Sequence, residues 1–133
     1  MRRIGKILLL LLLVLQVPAC VNKEDAEEKE MTYKVITMKE AEALFEVEDD
    51  YIILDVRRAD EFATGHIPGA INVPNEIIGT GDIRELADKN QLIYVYCRSG
   101  RRSKEASAKL VNMGYTNVIE IGGILEWQGQ VEK

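Results

Sequence analysis

Two runs of apolar residues lack the alternation of apolar and polar positions that marks a half-buried strand. They are YIILDV, residues 51–56, and LIYVY, residues 92–96. Both are rich in β-branched and aromatic side chains, which is typical of strands buried on both faces of a sheet. The pattern therefore predicts two buried strands, and we expect the first of them to be central.

Shorter segments around these runs alternate between strand and helix. Thr37 and Glu40, three residues apart, form a capping-box signal for a helix that runs to about Val47. This alternation predicts one α/β domain with a parallel-rich sheet and helices on both faces. The other predicted elements are strand 33–36, helical turn 59–65, strand 70–73, helix 83–90, helix 104–113 with Gly114 as its C-terminal glycine, strand 117–121, a turn at Gly122-Gly123 and helical turn 124–128.

The N-terminal segment has the three parts of a secretory signal. Basic MRRIGK is followed by the apolar run ILLLLLLVL, residues 7–15, and by QVPAC, which ends at Cys20. The apolar run is too short to span a bilayer. Residues 17–20, Val-Pro-Ala-Cys, resemble the bacterial lipobox, which implies that Cys20 is lipid-modified and becomes the mature N-terminus. The alternative is an ordinary cleaved signal that leaves an unmodified cysteine.

The lipobox resemblance sets the expected organisation and location of the chain. We expect a signal peptide over 1–19, a charged tether over 20–32 and a folded domain over 33–133. From this organisation we expect an extracytoplasmic protein that is lipid-anchored to a bacterial membrane. Two or more acyl chains on Cys20 would give stable attachment.

Length and charge narrow the class of function. The chain has 133 residues, 47% of them hydrophobic, which fits one globular domain. Its formal net charge is −5, and it becomes −8 without residues 1–19, which hold three cations and no acid. An acidic protein is a poor nucleic-acid binder, so we expect no nucleic-acid partner.

Cysteine usage points to chemistry rather than to a disulfide or a metal. The only cysteines are Cys20 and Cys97, and a lipidated Cys20 cannot pair with Cys97. There is no CxxC motif and only one histidine, so the sequence predicts no metal site and no cofactor. The alternative is that Cys97 is a small hydrophobic residue of the buried core. A lone thiol outside the cytoplasm risks oxidation, which argues against a purely structural role.

Cys97 follows the strand 92–96 directly and precedes a predicted helix. Ligands of parallel sheets bind at this end of the strands, where loop amides and a helix N-terminus favour an anion. Arg98, Arg101 and Arg102 place three cations within five residues of the thiol. Together these features predict a pKa for Cys97 well below that of an ordinary thiol.

Three segments resemble the signature segments of the rhodanese family, in that family's order. They are LDVRRADEFATGHIPGAINVP (54–74), YCRSGRRS (96–103) and GGILEW (122–127). The resemblance implies the rhodanese fold, which is a five-stranded parallel-rich sheet flanked by helices. It also implies sulfur transfer, with Cys97 as the persulfide-forming residue. It also implies that the remaining active-site loop consists of Arg98, Ser99, Gly100, Arg101 and Arg102.

The same resemblance implies small substrates. A Cys97 thiolate would take sulfur from thiosulfate or a similar donor and pass it to an acceptor such as cyanide or a thiol. We expect a monomer.

Four other residues of the signature segments have weaker links to the reaction. We predict that Asp55 and Arg57, at the end of the neighbouring strand, orient the loop or the substrate. His66 is more typical of a local hydrogen bond, and Trp127 is more typical of the hydrophobic core.

Two other classes of function are compatible with parts of this pattern. Phosphatases and arsenate reductases of the related fold resemble C-x-x-x-x-x-R, a loop of seven residues, whereas Cys97 to Arg102 spans six and Ser103 follows. A shorter loop favours one added sulfur atom over a tetrahedral oxyanion. The second alternative is a rhodanese-like sulfur carrier or binding module that serves a dedicated partner.

Overall fold

The computed structural model describes residues 32–133. The predicted signal peptide over 1–19 and the predicted tether over 20–32, apart from Thr32, lie outside the described residues, as does Cys20. In the part of the chain that is described, no helix has the length and apolar content needed to cross a membrane.

A single five-stranded sheet forms the centre of the domain. Its strands are β1 Lys34–Val35, β2 Tyr51–Asp55, β3 Ile71–Asn72, β4 Leu92–Cys97 and β5 Val118–Gly123. They lie in the order β1-β5-β4-β2-β3, and every pairing between neighbours is parallel. The predicted fold class is confirmed, and the two apolar runs form the adjacent inner strands β2 and β4.

Side chains of β2 and β4 alternate between two separate hydrophobic cores. Leu54 and Val95 enter one core, whereas Ile53 and Tyr94 enter the other. Successive side chains of a strand point to opposite faces, so a strand that is covered on both faces needs apolar residues at every position. This is why neither run shows an alternating pattern.

Helices cover both faces of the sheet. They are α1 Met38–Phe45, α2 Ala59–Thr64 and α3 Arg101–Asn112. Helix α3 contributes Ala106 and Leu110 to the first core, and α1 contributes Met38 and Ala41 to the second. The helices on both faces are thus confirmed.

The predicted capping box starts α1. Thr37 Oγ1 accepts a hydrogen bond from the Glu40 amide at 3.1 Å, and the Thr37 amide donates to Glu40 Oε2 at 2.7 Å. These two bonds satisfy backbone donors that a helix start leaves free. The helix ends at Phe45, two residues before the predicted end.

Two predicted elements are wrong. In place of a helix over 83–90 there is one 3-10 turn, Arg84–Leu86, after which the Asn90 amide donates to the Asp88 side chain at 2.8 Å. Such a local side-chain bond competes with helix formation. The predicted turn at Gly122-Gly123 instead belongs to β5, and α3 begins at Arg101, three residues earlier than predicted.

Candidate active site

Cys97 lies at the carboxyl end of β4, directly before the loop that leads into α3. The residue is only 1% exposed, and it lines a cavity of about 540 Å³. This is the sheet edge at which parallel α/β domains bind their ligands. The structure thus brings the thiol, the loop 98–100 and the start of α3 to one place.

The loop turns back toward the sulfur through a backbone conformation that favours glycine. Gly100 has φ of +111°, and its amide donates to Cys97 Sγ at 3.0 Å. A side chain at position 100 would strain this conformation. The glycine therefore sets the direction of an amide that points at the thiol.

A second glycine lies directly against the backbone of this loop. Gly123 of β5 is in register with Cys97, and a Cβ atom at position 123 would collide with the carbonyl of Arg98 and the amide of Ser99. The Arg98 carbonyl accepts a hydrogen bond from the Leu125 amide at 3.3 Å. Sequence reasoning placed Gly123 in a turn and missed this role, although the GGILEW signature was the available signal.

The surroundings of Cys97 favour its thiolate. Burial on its own raises the pKa of Cys97, but hydrogen bonds outweigh it and leave the pKa below its ordinary value. The donors are the Ser103 hydroxyl and the amides of Ser103, Gly100 and Ser99. Hydrogen bonds to the charged form stabilise that form. A buried thiolate in an amide cradle can act as a nucleophile toward a small electrophile that enters the cavity.

Charged side chains surround the mouth of the cavity. Four are arginines and two are glutamates, so the mouth has an excess of positive charge that favours an anionic ligand. The charged lining residues are Arg58, Glu61, Glu76, Arg98, Arg101 and Arg102.

Three of the four arginines already have carboxylate partners. Arg101 pairs with Glu105 at 2.9 Å on the surface, and Arg102 donates to both oxygens of Glu61 at 2.6 and 3.0 Å. Within residues 32–133, no ion pair involves Arg98. Among the described residues the three loop arginines are therefore not equivalent, because Arg101 and Arg102 pair with acids and Arg98 does not.

Glu61 is a residue of the site that the sequence did not indicate. It comes from α2, 41 residues before Arg102, and its bidentate contact fixes the guanidinium at one side of the cavity. The hydrogen bonds from Arg102 lower the pKa of Glu61 despite its partial burial. No local motif connects these two positions, so only the folded chain reveals the pair.

Asp55 and Arg57 lie on the neighbouring strand end but outside the cavity lining. Arg57 donates to the buried Asp55 carboxylate at 2.7 Å and to the Gly65 carbonyl at 2.8 Å. The pair therefore ties the strand end to the turn after α2. Neither side chain contributes to the cavity around Cys97.

His66 and Trp127 also lie away from the thiol. His66 stacks on Phe62 with ring centroids 3.7 Å apart, and its Nδ1 atom is 3.1 Å from the Phe62 carbonyl. Trp127 packs against the second core. Over residues 32–133, no cluster of three or more His, Cys, Asp and Glu side chains is arranged to hold a metal ion.

Comparison with known proteins gives one family and several similar chains. Residues 37–130 match the family described as Rhodanese-like domain. The chain is 38% identical over 71 residues to thiosulfate sulfurtransferase PspE of Escherichia coli, which covers 53% of this chain and 68% of that protein. It is 38% identical over 80 residues to a protein named Sulfurtransferase from Allochromatium vinosum, covering 59% and 73%.

Some relatives are much longer than the matched region. The chain spans 22% of the length of a Meyerozyma guilliermondii protein named adenylyltransferase and sulfurtransferase UBA4, at 36% identity over 91 residues, 63% of this chain. It spans 58% of YrkF from Bacillus subtilis.

Among solved structures, the fold is similar to one titled rhodanese with anions from E. coli. The TM-score is 0.57 at 34% sequence identity, with 62% of this chain and 98% of that chain covered.

Proposed function

Because the chain belongs to the family of rhodanese-like domains, we propose that it is a sulfurtransferase in which Cys97 carries sulfur as a persulfide. The donor is thiosulfate or a similar anion with a sulfane sulfur, and the acceptor is a thiophilic nucleophile. The observation that carries this proposal is the lowered pKa of Cys97 inside an amide cradle that opens into a cationic cavity. The names of the PspE and Allochromatium relatives support the same reaction class.

The first half-reaction loads the thiol. The Cys97 thiolate attacks the outer sulfur of thiosulfate, a new S–S bond forms, and the old S–S bond breaks so that sulfite leaves with its electron pair. The excess positive charge at the mouth attracts the dianion, and Arg98 adds a cation that forms no ion pair with any other residue of 32–133. The Gly100 amide, 3.0 Å from Sγ, stabilises the attacking thiolate.

The second half-reaction empties the site. A nucleophile such as cyanide or a thiolate attacks the terminal sulfur of the persulfide, the Cys97–sulfur bond breaks, and the Cys97 thiolate returns. The thiolate is thus the leaving group here and the nucleophile in the first step. The same hydrogen bonds to Sγ serve both steps, because Cys97 is a thiolate at the start of the first step and at the end of the second.

A dedicated sulfur carrier is the second candidate. In the UBA4 relative the matched region is 22% of a protein whose name joins two activities, so a domain of this kind occurs there within a larger protein. In that role Cys97 would exchange sulfur with one protein partner, and small acceptors would be poor substitutes.

Mass spectrometry of the thiosulfate-treated protein tests the proposal. A full-length Cys20→Ser chain leaves Cys97 as the only thiol, so one added sulfur atom identifies the site. We expect that mass in this variant, its removal by cyanide or a thiol, and no addition in the Cys20→Ser, Cys97→Ser control. A chain that takes up no sulfur, or that instead hydrolyses aryl phosphates, would contradict the assignment. Uptake without transfer to any small acceptor would favour the carrier role.

The location of the protein is a separate proposal that rests on residues 1–20. The basic, apolar and lipobox-like parts of this segment support a bacterial lipoprotein with acylated Cys20. Wild-type protein should fractionate with membranes, and Cys20→Ser should release it without loss of activity. An unmodified N-terminus on soluble wild-type protein would contradict the anchor.

A further inference from the structure

Two exposed apolar side chains lie next to residues that line the Cys97 cavity. Ile77 is 50% exposed and Leu125 is 61% exposed. Ile77 directly follows Glu76, which lines the cavity. The Leu125 amide donates to the carbonyl of another lining residue, Arg98, at 3.3 Å. Only five large apolar side chains of residues 32–133 are exposed, so two of the five belong to the surroundings of one cavity.

The order of the strands puts these two residues on different sides of the thiol. Ile77 comes from the segment after β3, and Leu125 comes from the 3-10 turn Ile124–Glu126 that follows β5. Because all strand pairings are parallel, both segments leave the sheet at the same edge as Cys97. Strand β4 lies between β5 on one side and β2 with β3 on the other. A ligand that contacts both side chains must therefore extend across the mouth of the cavity.

Exposed cations complete this surface, which is called the rim here and consists of Ile77, Leu125, Arg58, Arg98 and Arg101. The side chains of Arg58 and Arg101 are 62% and 74% exposed, and each pairs with an exposed acid. Exposed ion pairs contribute little to stability, so the carboxylate of a ligand can replace either acid. Arg98 forms no ion pair with any other residue of 32–133. The rim therefore matches a ligand that has both carboxylates and apolar groups.

The depth of Cys97 limits the shape of that ligand. The residue is 1% exposed, and a persulfide extends it by only one S–S bond of about 2 Å, so a flat protein surface would not reach the sulfur. The cavity of about 540 Å³ falls in the range of about 300–1,000 Å³ that holds drug-sized ligands. It is larger than thiosulfate or cyanide needs, and it has room for a side chain with part of its backbone.

We propose that the sulfur acceptor is a cysteine on a protruding segment of a partner protein, and that acidic and apolar residues of this segment dock on the rim. The thiolate of that cysteine attacks the terminal sulfur of the Cys97 persulfide, and a new S–S bond forms. The bond between this sulfur and Cys97 breaks, and Cys97 leaves as a thiolate with the electron pair. This inference rests on the proposed function, because it names the acceptor of the same reaction.

Two synthetic peptides test the charge of the acceptor. The acidic peptide has a central cysteine, a leucine on each side of it and a glutamate at each end, and the basic peptide has lysine in place of glutamate. Each is mixed with the thiosulfate-loaded full-length Cys20→Ser chain at equal concentrations of peptide thiolate, and mass spectrometry follows the loss of the added sulfur. We expect a second-order rate constant about tenfold or more higher for the acidic peptide at low ionic strength, and a smaller difference in added salt.

The variants Ile77→Ser and Leu125→Ser test the apolar part of the rim. Each side chain is about half covered already, so docking would gain about half of the free energy of burying it completely. Loss of that contribution should slow transfer to the acidic peptide by about three- to tenfold in each variant. Neither side chain lines the cavity, so transfer to cyanide should keep the rate of the parent.

Val47→Ser is the matched control. Val47 is 76% exposed, but it lies between the end of α1 and the start of β2, at the opposite edge of the sheet from Cys97. Its loss should leave transfer to the acidic peptide and to cyanide unchanged. Circular dichroism checks that all three variants are folded.

The outcomes separate this inference from the proposed function. A chain that takes up no sulfur from thiosulfate contradicts the proposed function. Sulfur that is taken up and reaches cyanide but neither peptide refutes only the protein acceptor. Equal rate constants for the two peptides, or transfer to the acidic peptide that neither Ile77→Ser nor Leu125→Ser slows, would overturn docking on the rim.

Discussion

Substitution of Gly123 by alanine tests how far the active-site loop depends on its close contact with β5. Gly123 has φ of −134°, an extended conformation that alanine adopts freely, so backbone strain does not enter. The added methyl group would nevertheless overlap the Arg98 carbonyl and the Ser99 amide, which are backbone atoms with little room to yield. We expect the loop to move away from β5.

The magnitude follows from the hydrogen bond that this movement breaks. The Gly100 amide lies 3.0 Å from Cys97 Sγ, and a hydrogen bond to a charged group contributes about 1.5–3 kcal/mol. One pKa unit corresponds to about 1.4 kcal/mol, so loss of this bond should raise the pKa of Cys97 by about one to two units. Below that pKa, the thiolate fraction and the loading rate should fall by about ten- to a hundredfold.

The assay is the pH dependence of Cys97 alkylation, with urea unfolding to measure stability. Gly81→Ala is the control, because a Cβ at position 81 meets nothing within 4 Å. Overpacking should also reduce the free energy of unfolding of Gly123→Ala by about 1–3 kcal/mol. A folded Gly123→Ala protein with an unchanged Cys97 pKa and loading rate would refute the idea that this contact sets the amide cradle.

Three further predictions concern charge. Because hydrogen bonds hold the pKa of Cys97 below its ordinary value, kcat/KM for thiosulfate should fall with decreasing pH through a pKa lower than that of an ordinary thiol, as a pH profile would show. Arg98→Ala should raise the thiosulfate KM more than Arg101→Ala does, because the Arg101 side chain already pairs with Glu105. Added salt should reduce the difference between the two variants. Equal KM values for the two variants would contradict this prediction. Glu61→Gln should lower the thiosulfate KM, because it frees the Arg102 cation and removes an acid from the cavity. The ionised Glu61 stabilises wild type at neutral pH, and this stability is lost as the pH falls through the lowered pKa of Glu61. Urea unfolding at neutral pH and at a pH below that pKa should therefore show a stability difference between the two proteins only at neutral pH.

Local sequence determined the elements that depend on near neighbours. The apolar runs predicted β2 and β4 because a strand covered on both faces has no solvent-facing position. Thr37 and Glu40 predicted the start of α1 because both capping bonds join residues three apart. The position of Cys97 at a strand end followed from the same local order. The helix predicted over 83–90 failed because only Ile83 and Leu86 of that segment are buried, and the Asp88 side chain then captures a backbone amide.

The remaining parts of the site depend on contacts between distant positions, which only the tertiary structure decided. Glu61 meets Arg102 across 41 residues, and Glu120 meets Ser103 across 17. A run of arginines shows how much positive charge is near the thiol, but it does not show which charges are neutralised by acids from other elements. That depends on how α2, α3 and β5 pack around the sheet, because ion pairs and buried hydrogen bonds act over only a few ångströms.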